Sequence, residues 1–163
     1  MARGRGSLSE GKSNKRMRID LEGHMKRALR GGALRNALDF AEYLKANEMA
    51  HTGVHCEVNY RGKCACYLLV DRKNWTVWTQ GEYDQEHSDV PMDERMKEIA
   101  RANVCRCVNC GNNCPGNTKI IFGKEFTNTC NVAMRFRNPD GEALECVKKL
   151  VEMRKQAIVR SQL

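Results

Sequence analysis

Four cysteines fall within ten residues of this 163-residue chain, and that density constrains its structure more than any other feature. They are Cys105, Cys107, Cys110 and Cys114, and a Pro-Gly pair follows them directly. The chain has nine cysteines, and an odd number cannot be fully paired in disulfides. Clustered thiols without a secretory signal are typical of a metal site. The stretch therefore predicts a Cys-rich metal loop over residues 105–116.

Zinc is the metal that the spacing favours. Thiolates hold zinc in a tetrahedron, and two cysteines separated by two residues supply two ligands from one turn. Cys107 and Cys110 have that spacing, and Cys114 is the natural third ligand. We predict Cys105 as the fourth ligand, with Cys130 as the alternative.

Two other interpretations of the loop stay open. Cys107, Cys110 and Cys114-Pro115 resemble the end of the bacterial ferredoxin motif for an iron–sulfur cluster. Val104 stands where that motif has a further cysteine, which is displaced here to Cys105. The other interpretation is a loop without any metal, whose thiols are free or redox-active.

The remaining candidate side chains are predicted to have no chemical role. Three cysteines at alternating strand positions are predicted to pack in the core, and two histidines are predicted to lie at the surface. The cysteines are Cys56, Cys64 and Cys66, and the histidines are His51 and His55. Four aromatic residues, Tyr60, Tyr67, Trp75 and Trp78, could stack nucleic-acid bases, but the alternation of a strand requires half of them to be core.

Positive charge is concentrated at the N-terminus. Residues 1–35 contain ten Lys or Arg and three acidic residues, whereas the other 128 residues contain 18 and 17. Residues 1–19 also have few apolar side chains, so we predict a disordered basic arm there. The predicted contacts to nucleic acid or an acidic protein surface are Arg3, Arg5, Lys12, Lys15, Arg16, Arg18, Lys26 and Arg27.

Residues 20–163 are predicted to form a single α+β domain. Apolar spacing of three or four predicts helices over 20–30, 33–47, 91–103 and 138–159, with Pro91 and Pro139 in first turns and Asn138 as a cap. Alternation predicts strands over 54–60, 64–71, 75–80, 118–122 and 130–136. These give an antiparallel five-stranded sheet, made of a three-strand meander and a two-strand unit, with helices packed on it.

Two segments resemble small uncharacterised bacterial α+β domains. They are the meander, with Gly53-Val-His-Cys56 and Trp75-Thr-Val-Trp78, and the C-terminal part from Phe122 to Leu150. The resemblance spans roughly residues 40–155, implies a compact α+β fold and carries no catalytic residue to this chain.

We expect a cytoplasmic, non-enzymatic protein. The N-terminus lacks the apolar stretch of a secretory signal, and the longest apolar run, near residues 64–70, is too short to span a bilayer. No Ser/His/Asp arrangement, Gly-rich phosphate loop or paired-carboxylate motif is evident.

The leading hypothesis is a metal-stapled binding module whose basic arm contacts nucleic acid or an acidic protein surface. One alternative is a small-ligand or redox-sensing module that uses the meander face or the loop thiols. Another is a phage or mobile-element protein that inhibits a host nucleoprotein complex by surface binding.

Overall fold

An antiparallel sheet of seven strands and four helices make up the described part of the computed structural model, which covers residues 20–52, 57–79, 90–108 and 116–163. The helices are α1 (Leu21–Ala28), α2 (Gly31–Ala46), α3 (Glu94–Ala102) and α4 (Gly141–Arg160). The strands are β1 (Ala50–His51), β2 (Glu57–Tyr60), β3 (Lys63–Val70), β4 (Trp75–Thr79), β5 (Val104–Arg106), β6 (Asn117–Ile121) and β7 (Lys124–Arg137).

The α+β class is confirmed, but the prediction of five strands is wrong. The two additional strands are β1 and β5, with two and three residues. Alternation is recognisable only over about four residues or more, so the sequence pattern does not reveal strands this short. Because β5 spans Val104–Arg106, Cys105 lies in a strand and not in the loop that was predicted to begin there.

Strand β7 pairs with three other strands. The sheet order is β1-β2-β3-β4-β7-β5, and β6 also pairs with β7. Met134 pairs with Thr79 of β4 and with Val104 of β5, so these two strands lie along opposite edges of β7. Thr129 likewise pairs with β5 and β6, which places β4 and β6 one after the other along the same edge.

A bulge interrupts the alternation of β7. Met134 and Phe136 are buried and Arg135 is exposed, as the sequence pattern predicts. Ala133 was predicted to lie on the opposite face from Met134, yet it is fully buried and has a φ of 45°. The prediction fails because four residues of β7 lie between its two pairs with β5, where β5 has one.

The two faces of β4 divide as the alternation predicts. Trp75 and Val77 are fully buried, and the ring of Phe40 from α2 lies 5.7 Å from that of Trp75. Trp78, which lies between Val77 and Thr79 in the sequence of β4, is only half-buried. The helices therefore cover the Trp75 and Val77 side, where a hydrophobic cluster joins the sheet to α1, α2 and α4.

Two helix starts differ from the sequence predictions. Helix α2 already begins at Gly31, in the glycine pair that was predicted to precede it. Helix α3 begins at Glu94, after a cap in which the Asp93 carboxylate accepts the Met96 N–H at 2.8 Å. Pro91 lies before that cap and not in the first helical turn. Among the described residues, no helix is long and apolar enough to cross a membrane.

Asn138 does not cap α4, which begins at Gly141 after Asp140. Its side-chain oxygen accepts the backbone N–H of Trp75 at 2.9 Å, and its amide donates to Asn74 at 2.8 Å. The backbone of Asn138 has a φ of 46°, a left-handed conformation that asparagine tolerates better than most residues. Asn138 therefore joins the end of β7 to the start of β4.

Replacing Asn138 tests this connection. Asn138→Ala leaves the Trp75 N–H without its acceptor, and we expect the free energy of unfolding to fall by about 1–3 kcal/mol. Asn138→Asp keeps an acceptor oxygen and should lose less. Urea unfolding of both variants measures the difference, and equal losses would contradict the assigned role of the acceptor.

Candidate metal centre and its surroundings

Cys105 and Cys130 lie beside each other on the adjacent strands β5 and β7, and the Cys130 thiol is close enough to raise the pKa of the Cys105 thiol. Cys107 follows β5 directly and is close enough to act electrostatically on Cys105. Its backbone N–H donates to the Asn128 carbonyl at 2.8 Å, which fixes it against β7. The pairing of β5 with β7 thus brings together thiols from two distant segments of the chain.

Both ends of the cysteine loop are anchored on β7. Arg106 before the loop and Asn117 after it pair with the same residue, Thr129, from opposite edges. Gly116 has a φ of 70° and lies so close to Asn128 that a Cβ atom there would overlap the asparagine side chain. The described ends of the loop are therefore held around one point of β7.

The predicted ligand set stays a prediction. Cys110 and Cys114 lie outside the described residues. Within residues 20–52, 57–79, 90–108 and 116–163, no group of three or more His, Cys, Asp or Glu side chains is arranged to hold a metal ion. The two candidates for the fourth ligand, Cys105 and Cys130, are neighbours, so the geometry admits either of them.

The charges near Cys105 act in opposite directions. Burial raises the pKa of the Cys105 thiol, and the Cys130 and Cys107 thiols raise it further, whereas the guanidinium of Arg135 lowers it. A thiol must lose its proton to bind zinc. Arg135 is therefore the described group that favours the ligating form of Cys105.

The other described cysteines do not join this group. Cys66 and Cys146 are fully buried, and burial raises the pKa of the Cys146 thiol to about 12. Cys66 packs in the core as predicted, and Cys56 lies outside the described residues. Cys64 is only half-buried, because a bulge at Ala65 shifts the pairing with β2 and turns Cys64 to the face that carries Tyr67.

Two of the eight predicted basic contact residues are described. Lys26 and Arg27 are exposed in the last turn of α1. The other six, Arg3, Arg5, Lys12, Lys15, Arg16 and Arg18, lie outside the described residues. Neighbouring Arg30 caps the C-terminal end of α1, because its guanidinium donates hydrogen bonds to three carbonyls there.

His51 lines a cleft of about 440 Å³ between α1, α2 and β1. The imidazole is half-buried and hydrogen-bonds the Leu68 backbone, while its Nδ1 atom has no hydrogen-bond partner among the described residues. Charged residues of the same cleft are Asp20, Glu22 and Lys45, and the last two form an ion pair of 2.9 Å. His55 lies outside the described residues.

Comparison with known proteins gives no match: no protein family, no curated protein and no solved structure is similar to this chain. The resemblance to small bacterial domains gains no support from these comparisons. Any function must be argued from the residues themselves.

His51 predicts a pH dependence of stability. Burial, aided by the charge of nearby His24, lowers the pKa of His51 below its ordinary value of 6.5. The folded state thus favours the neutral ring, so its stabilising effect is complete above pH 6.5 and is lost as the pH falls through the folded pKa. We expect His51→Gln to lose less stability than the wild type when the pH is lowered.

The measurement is urea unfolding at several pH values across this range. His24→Gln is the control, because it removes a neighbouring charge but leaves the half-buried imidazole. An unchanged pH dependence in His51→Gln would contradict the assignment.

Proposed function

We propose that the protein is a non-enzymatic nucleic-acid-binding module, in which a zinc ion held by the loop thiolates stabilises the fold and the basic N-terminus contacts phosphates. This proposal rests on the uneven distribution of charge along the chain. Residues 1–35 have a net charge of +7, whereas the other 128 residues are almost neutral. Such a distribution suits a segment that binds a polyanion beside a fold that does not.

The position of the thiols supports the zinc. The Cys105 thiol lies within electrostatic reach of those of Cys107 and Cys130, which belong to two segments of the chain, and Cys107 precedes the loop that carries Cys110 and Cys114. Zinc bound there would cross-link the short strand β5 and the loop to the sheet. An iron–sulfur cluster is less favoured, because Val104, where the ferredoxin motif has a cysteine, pairs with Met134 within the sheet.

The thiol environments argue against a redox or nucleophilic role. The thiolate is the reactive form of cysteine, and a raised pKa makes it scarce at neutral pH. Burial raises the pKa of Cys66, Cys105 and Cys146 alike. These described thiols therefore suit packing better than redox sensing, and a thiol among them that binds zinc must first lose its proton.

Phosphates are the partner that the arm fits best. Residues 1–19 contain six Lys or Arg and a single acidic residue, Glu10. The exposed Lys26 and Arg27 extend this charge onto α1. Binding through such contacts releases counterions, so its affinity falls steeply with salt.

Metal analysis tests the zinc. We expect about one zinc ion per purified chain, no visible absorption band, and a lower melting temperature after chelation. Cys107→Ser should lose the zinc, whereas Cys146→Ser should retain it because that thiol is fully buried in α4 and donates to the Met96 carbonyl. Comparing Cys105→Ser with Cys130→Ser identifies the fourth ligand. A coloured protein that contains iron, or a metal-free protein with wild-type stability, would overturn the assignment.

A salt titration tests the arm. With about six phosphate contacts, the affinity for an oligonucleotide should fall at least about 100-fold between roughly 50 and 200 mM salt. Replacing the six basic residues of 1–19 by Gln should weaken binding and flatten the dependence of log K on log salt. Arg160→Gln, at the distant end of α4, is the control. Unchanged binding by the six-fold variant would refute the role of the arm.

A further inference from the structure

The sheet has two unlike faces. Helices cover one of them: Trp75, Val77 and Phe136 are buried there, and Phe40 of α2 packs on Trp75. Helix α1 contributes Met25 and Leu29 to the same cluster, and α4 contributes Leu150 and other buried residues. In the part of the chain that the structure describes, α1, α2 and α4 therefore share this side, and we find no helix packed on the other.

The other side is called the open face here. It includes Glu57, Tyr67, Leu69, Thr76, Trp78, Arg135 and Arg137, and also Cys64 and its partner Asn59. Four of them form a row across four adjacent strands, since Glu57 pairs with Tyr67, Tyr67 with Trp78, and Trp78 with Arg135. A second row runs beside it through Leu69, Thr76 and Arg137.

Aromatic surface lies at the centre of the open face. Tyr67 and Trp78 are direct cross-strand partners and both are partly exposed. Such partners have Cβ atoms about 5 Å apart, so their side chains are neighbours on the sheet. Leu69, beside Tyr67 on the same strand face, is 39% exposed. Water therefore reaches a patch of apolar surface that the fold does not bury.

Positive charge borders this patch on one side. Arg135 and Arg137 are exposed on the same face of β7, two residues and hence about 7 Å apart. Neither forms an ion pair with any residue that the structure describes. The acidic residue of the row, Glu57, lies at the far end on β2. A bound anion is thus directed to the β7 side, and to Arg135 more than to Arg137, because the charge of Arg137 already acts on the Asp71 carboxylate and helps to lower its pKa.

We propose that the open face binds single-stranded nucleic acid, with bases stacked on Tyr67 and Trp78 and phosphates at Arg135 and Arg137. The inference rests on the proposed function and specifies its partner and a second contact surface. Unpaired bases expose the flat faces that aromatic side chains stack on, whereas a duplex hides them. The adjacent arginines supply the charge complementarity to the phosphates.

Fluorescence provides the direct test. The chain has two tryptophans, and Trp75 is fully buried while Trp78 is partly exposed. Adding a 12-nucleotide oligo-dT or oligo-U should quench the emission of Trp78, and Trp78→Phe should abolish the quenching because Trp75 is out of reach. An equal response to a duplex of the same length, or quenching that survives in Trp78→Phe, would overturn the proposal.

Affinities give the second readout. Stacking of a base contributes about 1–3 kcal/mol, so Trp78→Ala should weaken oligo-dT or oligo-U binding about 5- to 150-fold without changing the salt dependence. Arg135→Gln with Arg137→Gln should instead reduce the slope of log K against log salt. Ile120→Ala, an exposed apolar residue of β6, and Arg160→Gln on α4 are matched controls that should bind normally. Circular dichroism and thermal melting establish that each variant is folded.

The outcomes separate this inference from the proposed function. If Trp78→Ala binds like the wild type while the arm variant fails, the open face is not the site and the arm proposal stands. If the wild type binds neither single strands nor duplex, both proposals fail. Binding of an acidic peptide to the open face, with no nucleic acid bound there, would assign the surface to a protein partner and overturn the inference.

Discussion

The structure depends on the pairing of one long strand, β7, with three others. Its C-terminal half joins β4 and thereby the meander, while its N-terminal half holds β6 and its opposite edge holds β5. The two pairs of Thr129 place the ends of the cysteine loop at one point. The pair of Trp78 with Arg135 sets an arginine beside the aromatic row. Both candidate sites thus follow from the register of a single strand.

Arg135 lies between these two sites. It is the cross-strand partner of Trp78, and its charge also lowers the pKa of the Cys105 thiol. The proposed zinc site and the open face are therefore neighbours. Loss of zinc from the proposed site would disturb strand β5, which pairs with the strand β7 that carries Arg135, so the metal would support the binding surface without contacting the nucleic acid.

The sequence predicts the features that follow from a regular alternation of buried and exposed residues. Alternation identifies the buried Trp75 and Val77 and sets Trp78 on the other face, because β4 is regular. It fails at Ala133 and Cys64, where bulges add an odd number of residues to one strand and no local feature of the sequence indicates them. Asn138 also differs from its local pattern. The pattern predicts a helix cap, but the side chain accepts a hydrogen bond from the distant strand β4. The proximity of Cys105 and Cys130 depends on the same non-local pairing.

The long stretch of chain between β4 and β7 has a consequence for the rate of folding. Thr79 and Met134 pair although they are about 55 positions apart, and closing so long a loop has a cost in entropy. The contacts of β5 and β6 with β7 join residues that are closer in sequence, so they can form earlier. Each of them shortens the loop that remains to be closed. A zinc ion bound within that loop would therefore change the rate at which the sheet is completed as well as its final stability.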